Sequence, residues 1–238
     1  MVVVPTYNEA ETLPLTAAAI FEHLVCDLLV VDDNSPDGTG ALADDLAKAS
    51  DRVHVLHRTK KDGLGRAYVA GFSWALEQGY ERVLQMDCDL SHPPDRLPDL
   101  VRASLNEAEA GKADLVLGSR YVPGAGTAGW AARRLLLSRA ANFYARTLLG
   151  LPAKDCTGGY RCFRAELLSR IDLGNVGARG YGFQVEMLWL AKRAGARIAE
   201  VPIQFAERHA GESKMSFGIM LEGLLLVLKL RLGLGGRK

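Results

Sequence analysis

Short β-branched and apolar runs alternate with helical stretches through the first half of the chain, and that alternation restricts the fold more than any single motif. Residues 2–5, 28–32, 53–57, 82–87 and 115–119 read as strands, and residues 9–24, 38–48, 64–78 and 94–110 as the helices between them. Strands joined through helices pair in parallel and put helices on both faces of the sheet. The sequence therefore describes an α/β domain with a Rossmann-like, mostly parallel central sheet. Sheets of this kind bind ligands beyond the carboxyl ends of their strands, so those ends are where chemistry is expected.

Two of the ends are acidic. Residues 82–86 lead into Asp87-Cys88-Asp89, and residues 28–31 lead into Asp32-Asp33-Asn34-Ser35-Pro36-Asp37-Gly38. Carboxylates at i and i+2 alternate across a strand, but a turn at its end can bring both to one place. Acids so placed suit a hard divalent cation, which prefers oxygen ligands and bridges to a substrate's phosphates. A lone Asp-x-Asp is as compatible with a solvated loop; the second acidic end argues for a shared cleft. Arg120 falls at the end of the fifth strand by the same reading.

The second half is less regular. Helices are expected over 131–149 and 183–193 and a strand over 197–203 ended by Pro202, with Gly-rich stretches at 155–160 and 174–182. No repeat or linker divides the 238 residues, an ordinary length for one domain. The 29 basic and 28 acidic residues leave no overall field toward nucleic acid or an anionic membrane, so charge recognition must be local. Cys26, Cys88, Cys156 and Cys162 lack C-x-x-C spacing, which indicates neither a zinc site nor a disulfide framework and points to reduced, intracellular thiols. No signal-peptide pattern is visible, and the first strand has less lead-in than a domain usually has, so the start is expected to be trimmed or misassigned. No run reaches the roughly 20 apolar residues that span a bilayer. The nearest, residues 219–231, is interrupted by Glu222 and Lys229. It reads either as a buried terminal helix or as one lying in a membrane interface, the latter favoured by its leucines and by Arg231, Arg237 and Lys238.

No G-x-G-x-x-G follows the first strand and no G-x-x-x-x-G-K-[ST] occurs, which removes the main supports for a dinucleotide oxidoreductase or a P-loop enzyme. Lys61-Asp62-Gly63-Leu64-Gly65 opens a helix and could approach a phosphate or merely cap it. The second half offers a basic set: Arg120, Arg134, Arg208 and Lys214. Ser138 and Asn142 follow Arg134 at i+4 and i+8, so the three can share a helix face that lines a cleft. Arg133, Arg139 and Arg146 read as solvated helix surface. Acids on one side and arginines on the other fit a metal-bound nucleotide sugar facing an anionic acceptor.

These pieces form an ordered set. Pro5-Thr6-Tyr7-Asn8-Glu9, the stretch from Val31 to Thr39, Gly63-Leu64-Gly65, Asp87-Cys88-Asp89-Leu90-Ser91-His92 and Gly118-Ser119-Arg120-Tyr121 come first. Arg134 with Ser138 and Asn142, then Asp155 to Arg161, then Val201-Pro202-Ile203 through Arg208 to Gly211-Glu212-Ser213-Lys214 complete it. Over nearly its whole length the chain resembles dolichol- or polyprenol-phosphate mannose synthases, inverting family 2 glycosyltransferases of the GT-A fold. The early motifs are shared by many inverting glycosyltransferases; Asp-Leu-Ser-His together with the late Gly-Glu-Ser-Lys is more specific to the lipid-phosphate branch. Gln-x-x-Arg-Trp of processive polysaccharide synthases is absent.

The resemblance implies a GT-A catalytic domain over residues 1–215 and, over 216–238, a C-terminal amphipathic helix at a membrane interface. Pro5, Tyr7, Glu9 and Asp33 would form the pocket for base and ribose, with Asp87 near the ribose or sugar. Asp89 would hold Mg²⁺ or Mn²⁺ against the diphosphate, with Ser91 close to that metal. Arg120, Arg134, Ser138, Arg208 and Lys214 would contact the acceptor phosphate or the diphosphate. Asp89, Arg120 and Arg208 are thus the catalytic candidates. The implied reaction moves mannose from GDP-mannose to a dolichyl or polyprenyl monophosphate with inversion, on the cytoplasmic face of a membrane, peripherally and with help from a separate membrane subunit. A UDP-sugar donor such as UDP-glucose is the alternative enzyme, and a nucleotide-sugar-binding subunit without turnover the alternative of another class. A lipid monophosphate has a second pKa near ~6 and is largely a dianion at neutral pH, so no strong general base is required. Asp155 is the nearest candidate for one, with a structural role in its Gly-rich loop as the other reading.

Overall fold

The computed structural model describes residues 1–105, 113–178, 180, 182–206 and 217–234, with side chains in the last stretch described from residue 221. The five apolar runs of the first half form β1 (Val2–Thr6), β2 (Leu28–Asp32), β3 (Val53–His57), β4 (Arg82–Gln85) and β5 (Leu115–Ser119). Between them lie α1 (Leu13–His23), α2 (Thr39–Ala49), α3 (Leu64–Glu77) and α4 (Leu97–Leu105), the last entered through a 3-10 turn at Pro94–Arg96. The pairs β1–β2, β2–β3 and β1–β4 are parallel, as the alternation requires.

Successive side chains leave a strand on opposite faces, and both faces here are covered, so the strands read as unbroken apolar runs. One layer packs Val3, Leu29, Val31, Val83 and Leu115 against Tyr68, Phe72 and Phe183. The other packs Val2, Val4, Leu28, Val30, Leu84 and Val116 against Leu13, Ile20, Leu97 and Leu100. The first layer needs α3 very close to the sheet: a Cβ on Gly71 would stand 2.5 Å from Val3 Cγ1 and 3.1 Å from Val31 Cγ2.

Two boundaries differ from expectation, each with consequences at the site. The fourth strand stops at Gln85 rather than at Asp87, so both acids lie in a turn beyond the sheet. The first helix begins at Leu13, with Pro14 in its first turn, which leaves Glu9 in a turn beside the second acidic loop. The expected C-terminal end of the fourth helix, near residue 110, falls within residues 106–112, which lie outside the described residues.

The second half adds β6 (Gly126–Thr127), α5 (Ala132–Leu149), β7 (Arg161–Arg164), α6 (Ala165–Arg170), α7 (Gly182–Arg193), β8 (Ile198–Pro202), β9 (Gln204–Phe205) and α8 (Phe217–Arg231). Sheet order is β3-β2-β1-β4-β7-β5-β8, and β7 runs antiparallel to both its neighbours. Sequence reading misses β7. It has four residues, two of them arginines, and follows a Gly-rich loop. Only pairing with strands about 50 and 80 residues earlier identifies it.

α8 lies against α5 and α7, burying Val227 and Leu230. Leu221, Leu224, Leu225 and Leu228 are exposed, so apolar residues occupy both its inner and outer faces. Among the described residues no helix is long and apolar enough to cross a membrane.

Candidate active site

The loops after β1 and β2 are bound into one rim. Asp32, buried at the end of β2, accepts from Thr6 Oγ1 (3.1 Å), Ser35 N (3.1 Å) and Ser35 Oγ (2.6 Å). Backbone N–H groups of the first loop donate across to the second: Asn8 to Ser35 Oγ, Glu9 to Thr39 Oγ1 and Ala10 to Asp37 Oδ2. Asp33 is buried beside Arg58, whose guanidinium donates to it. Burial raises the Asp33 pKa above the usual carboxylate value although Arg58 opposes the shift. Tyr7 lies beneath the Lys61 ammonium, 3.7 Å from ring centre. The rim therefore carries Tyr7, Glu9 and Asp33, with Pro5 behind it in β1.

The Asp87–His92 turn forms the centre. Leu90 has φ +60°, one of three non-glycine residues in the left-handed region among those described; the others, Asn8 and Asn34, sit in the two rim loops. Such conformations persist only where surroundings enforce them, and they gather at functional sites. His92 enforces this one: Asp87 N donates to its Nδ1 at 3.0 Å while its ring stacks on Tyr160 at 5.0 Å. Burial lowers the His92 pKa, so its ring is held neutral and able to accept. Tyr68, fully buried, donates to Asp87 Oδ1 at 2.6 Å; burial and then Asp87 raise its pKa well above the usual value, keeping the donor proton on. Asp89 Oδ1 accepts from both Ser91 N (3.1 Å) and Ser91 Oγ (2.6 Å). Cys88 between the acids is buried, and its thiol is pushed up to about 12 by that burial, so it is an inert packing residue.

Asp89 and Ser91 thus offer a carboxylate and a hydroxyl side by side. Among the described residues no group of three His, Cys, Asp or Glu side chains gathers to hold a metal. Hard oxygens from only one or two protein groups are what Mg²⁺ accepts when phosphates and waters supply the rest. The donor set fits such an ion.

The cationic side is built around Arg120. Its Nε and Nη2 donate to the two oxygens of Asp155 at 2.7 Å each, its backbone N to Oδ2 at 3.0 Å, and Nη2 also to Thr157 Oγ1 at 2.8 Å. Burial works against both charges, but the pairing outweighs it: Arg120 is held above its ordinary pKa and Asp155 below. Asp155 further accepts from Gly158 N at 3.0 Å. It is therefore the structural anchor of the Gly-rich loop, and its depressed pKa makes it a poor proton acceptor.

Asn142 joins the same knot by accepting from Cys156 N (2.6 Å) and donating to Thr157 Oγ1 (3.1 Å). Arg161 is fully buried and donates to the carbonyls of Gly158, Gln184 and Cys156; burial lowers its pKa to about 10. Ser138 Oγ accepts from Tyr121 at 2.7 Å, and Arg134 packs on the Trp130 ring at 3.9 Å. The polar stripe expected on this helix exists, but Asn142 serves the loop.

The acidic turn and the cationic side meet through aromatic rings. Phe205 presents its ring to His92 (5.4 Å) and to Trp130 (5.5 Å), both edge to face, and Ala206 N donates to Ser91 O at 3.1 Å. Among the described residues the buried Trp130 Nε1 has no hydrogen-bond partner, an arrangement that costs free energy unless an oxygen accepts from it. Arg208 and Lys214 lie outside the described residues. Sequence reading overlooks Tyr68, His92 as a support, Trp130 and Phe205; only the Asp-Leu-Ser-His motif signals one of them. Gly63 and Gly65 have structural reasons: Gly63 has φ +90°, and a Cβ on Gly65 would run into the Ala178 carbonyl. Arg139 and Arg146 are exposed, as read from the sequence, yet they also line a cavity of about 410 Å³ with Arg120, Asn142, Phe143 and Lys154.

A mostly parallel sheet with acids beyond the ends of β2 and β4, on either side of β1, and an arginine knot beyond β5, is the framework of a GT-A-type glycosyltransferase. The Glycosyl transferase family 2 model matches residues 1–172, and the chain belongs to that family. It is a glycosyltransferase. It is 50% identical over 238 residues, all of this chain and 95% of the relative, to the undecaprenyl-phosphate mannosyltransferase of Micrococcus luteus. With the polyprenol monophosphomannose synthase of Mycolicibacterium smegmatis it shares 51% identity over 231 residues, 95% of this chain and 84% of that protein. Among solved structures, glucosyl-3-phosphoglycerate synthase of Mycobacterium tuberculosis in complex with Mn²⁺, UDP-glucose and phosphoglyceric acid superposes with a TM-score of 0.69 at 24% identity, over 98% of this chain and 79% of that one. That likeness concerns the fold.

Proposed function

We propose that this glycosyltransferase moves mannose from GDP-mannose to a polyprenyl monophosphate, releasing GDP. The reading rests chiefly on half-identity, across nearly the full chain, to two relatives named for mannosyl transfer to such lipids. The geometry is consistent with it. A phosphate dianion needs no deprotonation, and the Asp155 carboxylate on the cationic side is committed to Arg120. Cations that place the phosphate are then the main requirement.

In this reading Asp33 and the Tyr7–Glu9 turn hold the nucleoside, and Asp87, steadied by Tyr68 and His92, orients the ribose or sugar. Asp89 and Ser91 would hold Mg²⁺ or Mn²⁺, which when bound stabilises charge on the departing diphosphate. Ser138, Arg134 and Arg120 face the acceptor phosphate, joined by Arg208 and Lys214. Attack by the phosphate opposite the leaving group inverts the anomeric carbon. The acceptor's prenyl chain requires the enzyme to work at a membrane surface, where the exposed leucines of α8 can enter the interface.

The test is transfer of radiolabel from GDP-mannose to a short polyprenyl phosphate, with Mn²⁺ or Mg²⁺ and then with EDTA, and UDP-glucose in parallel. Metal-dependent label in the lipid phase from GDP-mannose alone is expected. Label from UDP-glucose alone would overturn the donor assignment, and label that survives EDTA the metal assignment.

A further inference from the structure

α5 starts in a way that does not serve its own stability. Its first turn, from Ala132, holds Arg133 and Arg134 and no acidic residue, and Ala131 before it makes no side-chain cap. The N–H groups and partial positive charge of a helix start favour an anion there and oppose a cation. Arg134 is nevertheless held in this turn, half-buried, with the Trp130 ring against its guanidinium at 3.9 Å.

The small β6–β9 sheet frames the indole. Gly126 N donates to Ile203 O at 3.0 Å and Ala128 N to Phe205 O at 2.9 Å, which ties the segment leading to Trp130 alongside the one carrying Phe205. Phe205 then meets the indole edge to face at 5.5 Å. Arg120 also lies near the ring, at 5.3 Å, but Asp155 already fixes that guanidinium through two hydrogen bonds of 2.7 Å. The indole nitrogen shows which part of the side chain matters. Nε1 is sealed from solvent and has no partner among the described residues, so a ligand oxygen does not reach it in this arrangement. A phenylalanine would fill the place without burying an orphaned N–H. What tryptophan alone supplies is the ring face most attractive to a cation.

We propose that Trp130 is a positioning residue of the acceptor side: its ring face holds the Arg134 guanidinium at the start of α5, where that cation and the helix N–H groups together receive a lipid monophosphate. The proposal rests on the acceptor reading given above and adds to it the group that aims Arg134. A long arginine side chain left to itself samples many rotamers, and the positive helix start turns it toward solvent. Fixing it beforehand removes that ordering cost from binding. The phosphate dianion then joins two positive elements that repel one another until it arrives. Trp130 makes no bond to the substrate and acts through Arg134.

The test is calorimetric titration of the full chain with farnesyl phosphate, in the presence of GDP and Mg²⁺, for wild type, W130F, W130L, R134M and W130L/R134M, alongside urea unfolding. A cation–π contact at a partly desolvated site is worth roughly 3- to 30-fold in affinity, so W130L should weaken farnesyl phosphate binding by about tenfold. W130F keeps a poorer ring face and should weaken it by about threefold. GDP affinity should stay at the wild-type level. W130F should unfold at the same or a higher urea concentration, since the orphaned N–H is gone. In the R134M background W130L should cost nothing more, because two changes that act through one contact are not additive. Unchanged farnesyl phosphate affinity in W130L would overturn the proposal. So would W130F losing stability and binding in step, the mark of packing alone, or a full W130L loss in the R134M background, which would set the indole against the lipid itself. The expected variant series in a protein that moves no label from GDP-mannose would support the role of Trp130 and sink only the proposed reaction. Wild type that does not bind farnesyl phosphate would overturn both.

Discussion

Asp155→Asn replaces the carboxylate with a neutral group of nearly the same shape, which isolates charge from packing. Asp155 has no exposed side-chain surface and Arg120 only 8%, so solvent does little to screen the pair. Removing one partner of a buried ion pair typically destabilises by about 3–5 kcal/mol, because the other charge is left without compensation. Asp155→Asn and Arg120→Met should each fall in that range. With both replaced no buried charge remains, but the amide keeps one acceptor oxygen where the carboxylate had two, so either the Arg120 N–H or the N–H groups of Thr157 and Gly158 lose their acceptor. An orphaned buried donor costs about 1–3 kcal/mol, so Arg120→Met/Asp155→Asn should lose less than the two single variants added together. Urea unfolding at constant slope reads all three. The pH dependence has a definite sign. The folded-state pKa of Asp155 lies below its unfolded value, so its contribution is complete above about pH 4 and disappears as pH falls through the depressed value. Wild type should therefore lose this increment only in acid, and Asp155→Asn should lack it at neutral pH. Single losses that simply add, or an Asp155→Asn loss under about 1 kcal/mol, would refute the reasoning, since pairs that do not interact are additive within about 0.5 kcal/mol.

Asp89→Ala should reduce label transfer by at least about 10³-fold, as expected when a metal ligand at developing charge is removed; near-normal turnover would refute the metal assignment. Tyr68→Phe deletes only the hydroxyl that donates to Asp87 at 2.6 Å. It should lower kcat/KM for the nucleotide sugar by roughly tenfold, the weight of about 1.4 kcal/mol, and unchanged kinetics would show that Asp87 needs no such support. Gly65→Ala places a methyl group against the Ala178 carbonyl and should destabilise by about 1–3 kcal/mol in thermal or urea unfolding, as overpacking does; a neutral result would mean that this backbone can give way.

Much of the site's outline was legible because it rests on local pattern. Buried parallel strands write themselves as apolar runs, and acids that follow such runs must emerge at the carboxyl edge, as Asp32, Asp33, Asp87 and Asp89 do. What those acids touch was not legible. Tyr68 reaches Asp87 across 19 residues, and Arg120 reaches Asp155 across 35. No periodicity marks either pair, nor the carboxylate that holds Arg120, expected as a phosphate contact, in place.

By itself the sequence determined the class of fold, the order of the first five strands along the chain and the edge where chemistry collects, since hydrophobic period and turn residues act over a few positions. The tertiary structure alone decided that β7 enters antiparallel between β4 and β5, that Asn142 and Asp155 serve a loop, and that Arg139 and Arg146 share a cavity with Lys154. Each of these depends on contacts between residues distant in sequence, whose free energy appears only when the chain is packed.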